Sequence, residues 1–201
     1  MNKLILLAGY PGAGKSYVCN LILNKNIGYI LLSQDDIKEK LFDEYGFNNQ
    51  EEKDILIERS RNEWYQKIEE EMKKDSKIIL DYPFSYKQFD ILTNLSKKYD
   101  YEVLTIRLVG DMEVLFERRV KRDMRPDRHL GHMSTIYHKG DYLEDHSKAN
   151  DFITKEGFYD ICKSRAYGNF CIGDLIELDV TDFSKVDYNS MIEQVVEFDK
   201  R

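Results

Sequence analysis

A chain of 201 residues, 42% hydrophobic and 33% charged, has the make-up of a folded globular protein and enough length to bury a substantial core. Its formal net charge of −7 excludes a broad basic surface for coating long nucleic acid, while leaving room for a local basic pocket. No apolar run approaches the ~18–20 residues that span a bilayer. Three widely spaced cysteines, Cys19, Cys162 and Cys171, form no CxxC pair, so reduced thiols and a cytoplasmic setting are expected.

The first apolar run, KLILLA (3–8), leads straight into a Gly-rich loop and reads as a buried strand rather than a signal peptide. A helix opens at KSYVCNLILNK and a second strand follows at GYILLS (28–33). QDDIKEKLFDEY is a short second helix. The stretch 50–75 places Trp64, Ile68 and Met72 four residues apart, with Tyr65 beside them, which makes a helical apolar stripe. KIILDY (77–82), SYKQFDILTNLSKKY, YEVLTIRLV (101–109) and DMEVLFERRVKRD continue the strand–helix alternation. DLIELDV (174–180) and DYNSMIEQVVEF close it. Near-continuous apolar strands between helices predict an α/β fold: a three-layer α/β/α domain on a five-stranded parallel sheet, with ligands at the carboxyl ends of the strands. Residues 125–172 are the least regular region, hold all four histidines, and are expected to form a lid or substrate insertion within a single domain, 1–201.

Gly9-Tyr10-Pro11-Gly12-Ala13-Gly14-Lys15-Ser16 matches G-x-x-x-x-G-K-[ST] between a strand and a helix, followed by Tyr17 in that helix. Backbone N–H groups of such a loop, with the positive end of the helix, cradle phosphates. Lys15 is then expected on the β- and γ-phosphates of ATP, and the Ser16 hydroxyl on Mg²⁺. Two acids, Asp35 and Asp36, follow the second strand and belong at the same sheet edge. Either could cap a helix starting near Ile37, and one of them could instead accept the proton of an attacking hydroxyl or organise the metal. Asp81, at the end of IILD, is a third carboxylate and a second candidate for the metal.

Arg118, Arg119, Arg122, Arg125 and Arg128 crowd eleven residues before the insertion. Arg118 and Arg122, four apart, share a helix face and can neutralise charge on a transferred group. Arg125 and Arg128 are placed to close over ATP. The alternative is a solvated basic face with Glu117 and Lys121 as an ordinary helix pair. His129, His132, His138 and His146 lack the spacing of a metal site and read as polar insertion residues.

GYPGAGKS, the SQDD-I-K after strand two, the IILD of strand three and the Arg118–Arg122 pair together resemble the phosphate-loop kinases that include polynucleotide 5′-hydroxyl kinases. Zeta-toxin and chloramphenicol phosphotransferase-like enzymes are the small-molecule members of that group. The resemblance covers about residues 3–124 and, more weakly, the last strand and helix. It implies an ATP- and Mg²⁺-dependent transfer of phosphoryl to a hydroxyl of a nucleic-acid end, a nucleotide or a small metabolite. It also implies Asp35 as general base and Arg122 on the transferred phosphoryl. Asp36 and Lys38 would face the acceptor. The polynucleotide kinase pattern has arginine where this chain has Gln34 and Lys38, and Lys38 keeps the charge without the bidentate fork. The rival class is a nucleotide-hydrolysing switch or regulatory ATPase, against which stand the missing N-K-x-D motif and the presence of acids suited to a hydroxyl acceptor.

Overall fold

In the computed structural model, which describes residues 2–201, the strand ends set the architecture. The five strands are β1 (Asn2–Gly9), β2 (Tyr29–Ser33), β3 (Lys77–Asp81), β4 (Tyr101–Val109) and β5 (Asp174–Asp179). They form one wholly parallel sheet in the order β2-β3-β1-β4-β5. The register aligns Ser33 with Asp81 and Asp81 with Leu7, so the loops leaving β1, β2 and β3 start from one sheet edge.

Among the described residues seven helices cover the two faces: α1 (Lys15–Leu23), α2 (Gln34–Tyr45), α3 (Gln50–Met72), α4 (Tyr86–Lys98), α5 (Met112–Asp123), α6 (Lys155–Arg165) and α7 (Tyr188–Lys200). One layer of core joins Ile5, Leu7, Ile79 and Ile106 to α1, α6 and α7 through Val18, Ile22, Phe158 and Val195. On the opposite face Leu4, Leu6, Ile78 and Leu80 meet the Trp64–Ile68–Met72 stripe of α3, together with Phe84 and Leu92. Alternate residues of β1 therefore serve opposite layers, as the two-residue strand period requires. No helix among the described residues is long and apolar enough to cross a membrane.

Two sequence expectations are corrected. The second helix starts at Gln34 with Ser33 in the N-cap position, so neither Asp35 nor Asp36 is a cap; both lie in the first turn, where the helix dipole favours their charge. The stretch 125–172 is also more regular than its composition implies, because it contains α6. Lys155–Arg165 lacks a strong apolar stripe, and its buried contacts reduce to Phe158 and Cys162. The two parts of this stretch dock differently. Leu130 and Tyr137 join a small cluster with Phe42, Phe47 and Leu56 of the α2–α3 region, and Tyr137 pairs with Phe47 through backbone hydrogen bonds in both directions. Helix α6 instead packs on the central core.

Trp64 ties α3 to the strand that delivers the acid pair: its ring is fully buried and its indole Nε1–H donates to the Leu32 carbonyl at 3.0 Å. Trp64→Ala should lower the free energy of unfolding by about 3–5 kcal/mol, measured by chemical denaturation, since it opens a cavity and leaves that carbonyl unpaired.

Candidate functional site

Of the seven helices, five carry a side-chain N-cap, from Asn49, Ser85, Asp111, Thr154 and Asp187. The two without one, α1 and α2, are those that open at the aligned strand ends. Gly14 precedes α1 with φ 86°, and no acidic side chain occupies its first turn. The N–H donors there face the loop with no side chain to satisfy them, which suits an anion. Gly12 also has φ 86°, and a Cβ there would lie 2.5 Å from the Leu115 carbonyl oxygen. That approach fixes the loop against α5 and carries the arginine helix to the phosphate site.

Lys15 is buried, with Nζ 3.0 Å from the Tyr10 carbonyl and 3.4 Å from that of Gly9. Burial lowers its pKa, Asp81 opposes the shift and Arg122 adds to it. The Ser16 hydroxyl donates to Asp81 Oδ2 at 3.0 Å. A hydroxyl and a carboxylate from neighbouring strand–loop junctions thus meet beside the phosphate loop. These hard oxygen donors fit Mg²⁺, which takes few protein ligands and completes its shell with phosphate oxygens and water. Burial raises the Asp81 pKa, and Lys15 and Ser16 counteract it.

Across the same cleft, Asp35 accepts from Lys38 Nζ at 2.6 Å, and Arg128 Nη2 stands 3.9 Å from its other oxygen. The carboxyl is ringed by protein yet leaves 47% of its side chain open to the cleft. Burial pulls its pKa upward, but Lys38, His132 and Arg128 outweigh that and hold the group well below the ordinary carboxylate range. Asp36 is exposed and reaches neither Ser16 nor Asp81 by a hydrogen bond; burial, Glu39 and Asp35 raise its pKa. Gln34 turns inward instead, donating from Nε2 to the Ser60 hydroxyl at 2.5 Å.

The arginines divide by contact. Arg118 directs its fork at the Val180 and Thr181 carbonyls, at 2.5 and 2.9 Å, and lies 3.7 Å from the ring centre of Phe183. Arg122 is held by Asp123 Oδ1 at 2.8 and 2.9 Å and lies within electrostatic reach of both Lys15 and Asp81. Arg125 pairs with Asp127 at the surface. Arg128 sits 3.6 Å from Glu39 and 3.7 Å from Asp123, and its buried Nε has no hydrogen-bond partner. Tyr10 turns away from the loop toward Gly168 and Tyr167, Ala13 is buried, and Tyr17 rests edge-on against Tyr188.

Pro11, Gly12, Gly14, Lys15, Ser16, Asp35, Asp36, Lys38, Asp81, Arg118, Arg122, Arg125 and Arg128 all line one cleft of about 990 Å³. Gly9, Tyr10, Ala13 and Tyr17 support the loop without lining it. The cleft wall carries nine Lys and Arg residues against six Asp and Glu, in a chain whose net charge is −7. It is therefore a local basic trough in an acidic protein, suited to a polyanion. Lining residues beyond those expected from sequence include Lys53, Arg119, Asp123, Arg165 and Phe183. Arg119 was marked only by membership of the arginine run, and the rest carry no local motif. Among the described residues no group of three or more His, Cys, Asp or Glu side chains forms a metal cluster.

A phosphate loop at the head of the first helix of a parallel 2-3-1-4-5 sheet defines a P-loop α/β protein of the kinase type. A family model described as "AAA domain" matches residues 4–136, and the chain belongs to that phosphate-loop kinase family. A Chloroflexus aurantiacus protein named provisionally as a kinase is similar in structure, with a TM-score of 0.72 and 20% identity over 98% of this chain and 95% of that one. The shikimate kinase of Bacteroides thetaiotaomicron is similar at a TM-score of 0.56 and 15% identity, covering both chains fully. A gluconokinase from Sinorhizobium meliloti 1021 is similar at 0.55 and 14%, over 98% of this chain and 94% of that one. No curated protein matches the chain in sequence.

His132 borders the site, and its Nε2–H donates to Glu39 Oε1 at 2.5 Å. Burial lowers its pKa to about 4, against the upward pull of Glu39. A histidine depressed in the folded state costs stability as pH falls, because the unfolded chain takes up a proton first. Between pH 6.5 and about 4 stability should therefore rise with pH, with ~1–2 kcal/mol from this residue between pH 5 and 7. Denaturation of His132→Asn at both pH values should show that slope reduced.

Proposed function

We propose that this protein transfers the γ-phosphoryl group of ATP to a hydroxyl of a nucleotide, a nucleic-acid end or another small metabolite. The observation that carries this reading is the meeting, in one basic cleft, of the Ser16–Asp81 pair beside Lys15 with the ionised Asp35 carboxylate. A hydrolase could use the same carboxylate to position water, and it is membership of the phosphate-loop kinase family that favours an organic hydroxyl as the nucleophile. The likeness to sugar and shikimate kinases is one of fold, so the acceptor is read from the cleft itself.

The roles follow from placement. Backbone N–H groups of 12–16 and the Lys15 ammonium hold the phosphates of ATP. Ser16 and Asp81, rather than Asp36, would hold Mg²⁺, directly or through its waters, and the ion would screen the phosphate charge. Asp35 accepts the acceptor's proton as the hydroxyl oxygen bonds to the γ-phosphorus and the bond to the β–γ bridging oxygen breaks, releasing ADP. Its depressed pKa keeps it ionised and ready. An acceptor that draws Lys38 away releases Asp35 from its ion pair and strengthens it as a base, so Asp36 and Lys38 border the acceptor. Arg122 faces the developing charge near Lys15. Arg118, committed to Val180 and Thr181, acts with Phe183 as a wall for the nucleotide rather than on the phosphoryl. Arg125 and Arg128 lie where the 125–172 insertion, as a lid on a single domain, would bring them toward ATP.

In a labelled-ATP transfer assay, Asp35→Asn should lower transfer by ~10²–10⁴-fold while ATP affinity stays within about twofold. Undiminished transfer would remove Asp35 as the base. Steady ATP hydrolysis with no acceptor labelled, across 5′-hydroxyl oligonucleotides, nucleosides, nucleotide sugars and small polyols, would favour the hydrolysing switch.

A further inference from the structure

Three acids, Asp35, Glu39 and Asp43, stand at four-residue spacing on one face of α2. Like charges so placed destabilise a helix unless other groups answer them. The segment 128–137 lies against this face and offers a partner to each. Asp43 accepts from the Tyr137 hydroxyl at 2.5 Å, and His129 Nε2 stands 3.2 Å from the same oxygen. Glu39 accepts from His132, and Arg128 approaches Asp35, the proposed base. Phe42 packs against the rings of His129 and His132. A Cβ on Gly131 would lie 2.6 Å from the Phe42 ring, so glycine is what lets the segment come this close to α2.

Arg128 differs from the other members of this row. Its guanidinium stands 3.6 Å from Glu39, 3.7 Å from Asp123 of α5 and 3.9 Å from Asp35, among three carboxylates and outside hydrogen-bond distance of each. Two of the three acids have other cations to hold. Asp123 is buried and takes Arg122 at 2.8 Å and Arg119 at 3.4 Å. Asp35 gives Oδ1 to Lys38, and its Oδ2, on the side of Arg128, is the oxygen left for an incoming proton. Glu39 lines the same cleft, and its closest partner is the His132 ring. Burial raises the Glu39 pKa, but His132, His129 and Arg128 outweigh that and keep the carboxylate ionised. It is therefore the charge that draws Arg128 away from Oδ2.

We infer that Glu39 is a positioning residue for the transfer: fixed by His132, it holds Arg128 off Asp35 Oδ2, which leaves that oxygen to the acceptor hydroxyl and Arg128 to the nucleotide. The inference rests on the kinase reading above and deepens it. A guanidinium released onto Oδ2 would form a charge-assisted hydrogen bond of about 2.8 Å. Both oxygens of the base would then be occupied, one by Lys38 and one by Arg128. Proton transfer needs a free carboxylate oxygen within hydrogen-bond reach of the hydroxyl, so the reaction would slow although every catalytic group is still present. Glu39 touches neither reacting group and acts through Arg128.

Transfer is measured with Mg²⁺, γ-labelled ATP and, as acceptor probes, a 5′-hydroxyl oligonucleotide, a nucleoside, a nucleotide sugar and glycerol. Glu39→Gln keeps an acceptor for His132 but removes the charge. It should lower kcat/KM for whichever probe the wild type labels by ~10-fold or more, with ADP affinity within about twofold. In an Arg128→Gln background the same change should cost less than about twofold, because the cation it restrains is gone. Retained ADP affinity shows that the variants fold. A crystal structure of Glu39→Gln should place Arg128 within about 3.0 Å of Asp35 Oδ2. An equal cost in both backgrounds, an unchanged kcat/KM in Glu39→Gln, or an Arg128 that stays away from Oδ2 in that crystal structure overturns this inference and leaves the kinase reading in place. Hydrolysis with none of the probes labelled overturns both.

Discussion

The alignment of three parallel strand ends is the constraint on which the rest of the site depends. Leu7, Asp81 and Ser33 stand side by side across β1, β3 and β2, so the loops that follow must emerge together. From that edge come the phosphate loop, the Asp81 carboxylate and the first turn of α2 with Asp35. Because parallel strands have all their carboxyl ends on one side, their following loops gather there, and crossover helices fill the faces behind them. A one-residue slip of β3 would turn Asp81 away from Ser16 and reverse which of its apolar residues meet each core layer.

Charge balance is the second organising feature. The cleft gathers cations within an acidic chain, and most of them are held by an acid: Lys38 by Asp35, Lys53 by Asp151, Arg122 by Asp123. Such pairs keep a basic trough from repelling itself when no anion is bound, and they can be exchanged for phosphate oxygens when one arrives. The Lys38–Asp35 pair is the exchange with most chemical effect, since the same contact holds the carboxylate ionised and blocks one of its oxygens. The stretch 125–172 contributes to this balance in two ways. Its Leu130–Tyr137 part is anchored on α2 and α3, while α6 is anchored on the central core.

Much of this was written in local sequence. The phosphate loop, the apolar runs of all five strands and the Trp64–Ile68–Met72 stripe are short-range patterns, and each follows from backbone periodicity or from phosphate geometry within about ten residues. The acids after strands two and three could be placed at the site because strand direction alone locates them. Sequence placed α2 over QDDIKEKLFDEY but left its cap open, since Ser, Asp and Asp in succession are all acceptable caps and only backbone geometry selects Ser33. It also left α6 unassigned, because a helix anchored by two buried side chains has little amphipathic signal.

Other features came from tertiary structure alone. Arg118 and Arg122 are equivalent on a helical wheel, but the β5–α7 loop captures the first, while the second pairs with Asp123 within electrostatic reach of Lys15. The sequence by itself determined the class of fold, the polyphosphate loop and the set of acids at the strand ends, because those depend on local periodicity and chain direction. Which cations stay paired, which face the cleft unbonded, and which carboxylate meets Ser16 were decided only by packing, because burial and charge partners are set by neighbours distant in the chain.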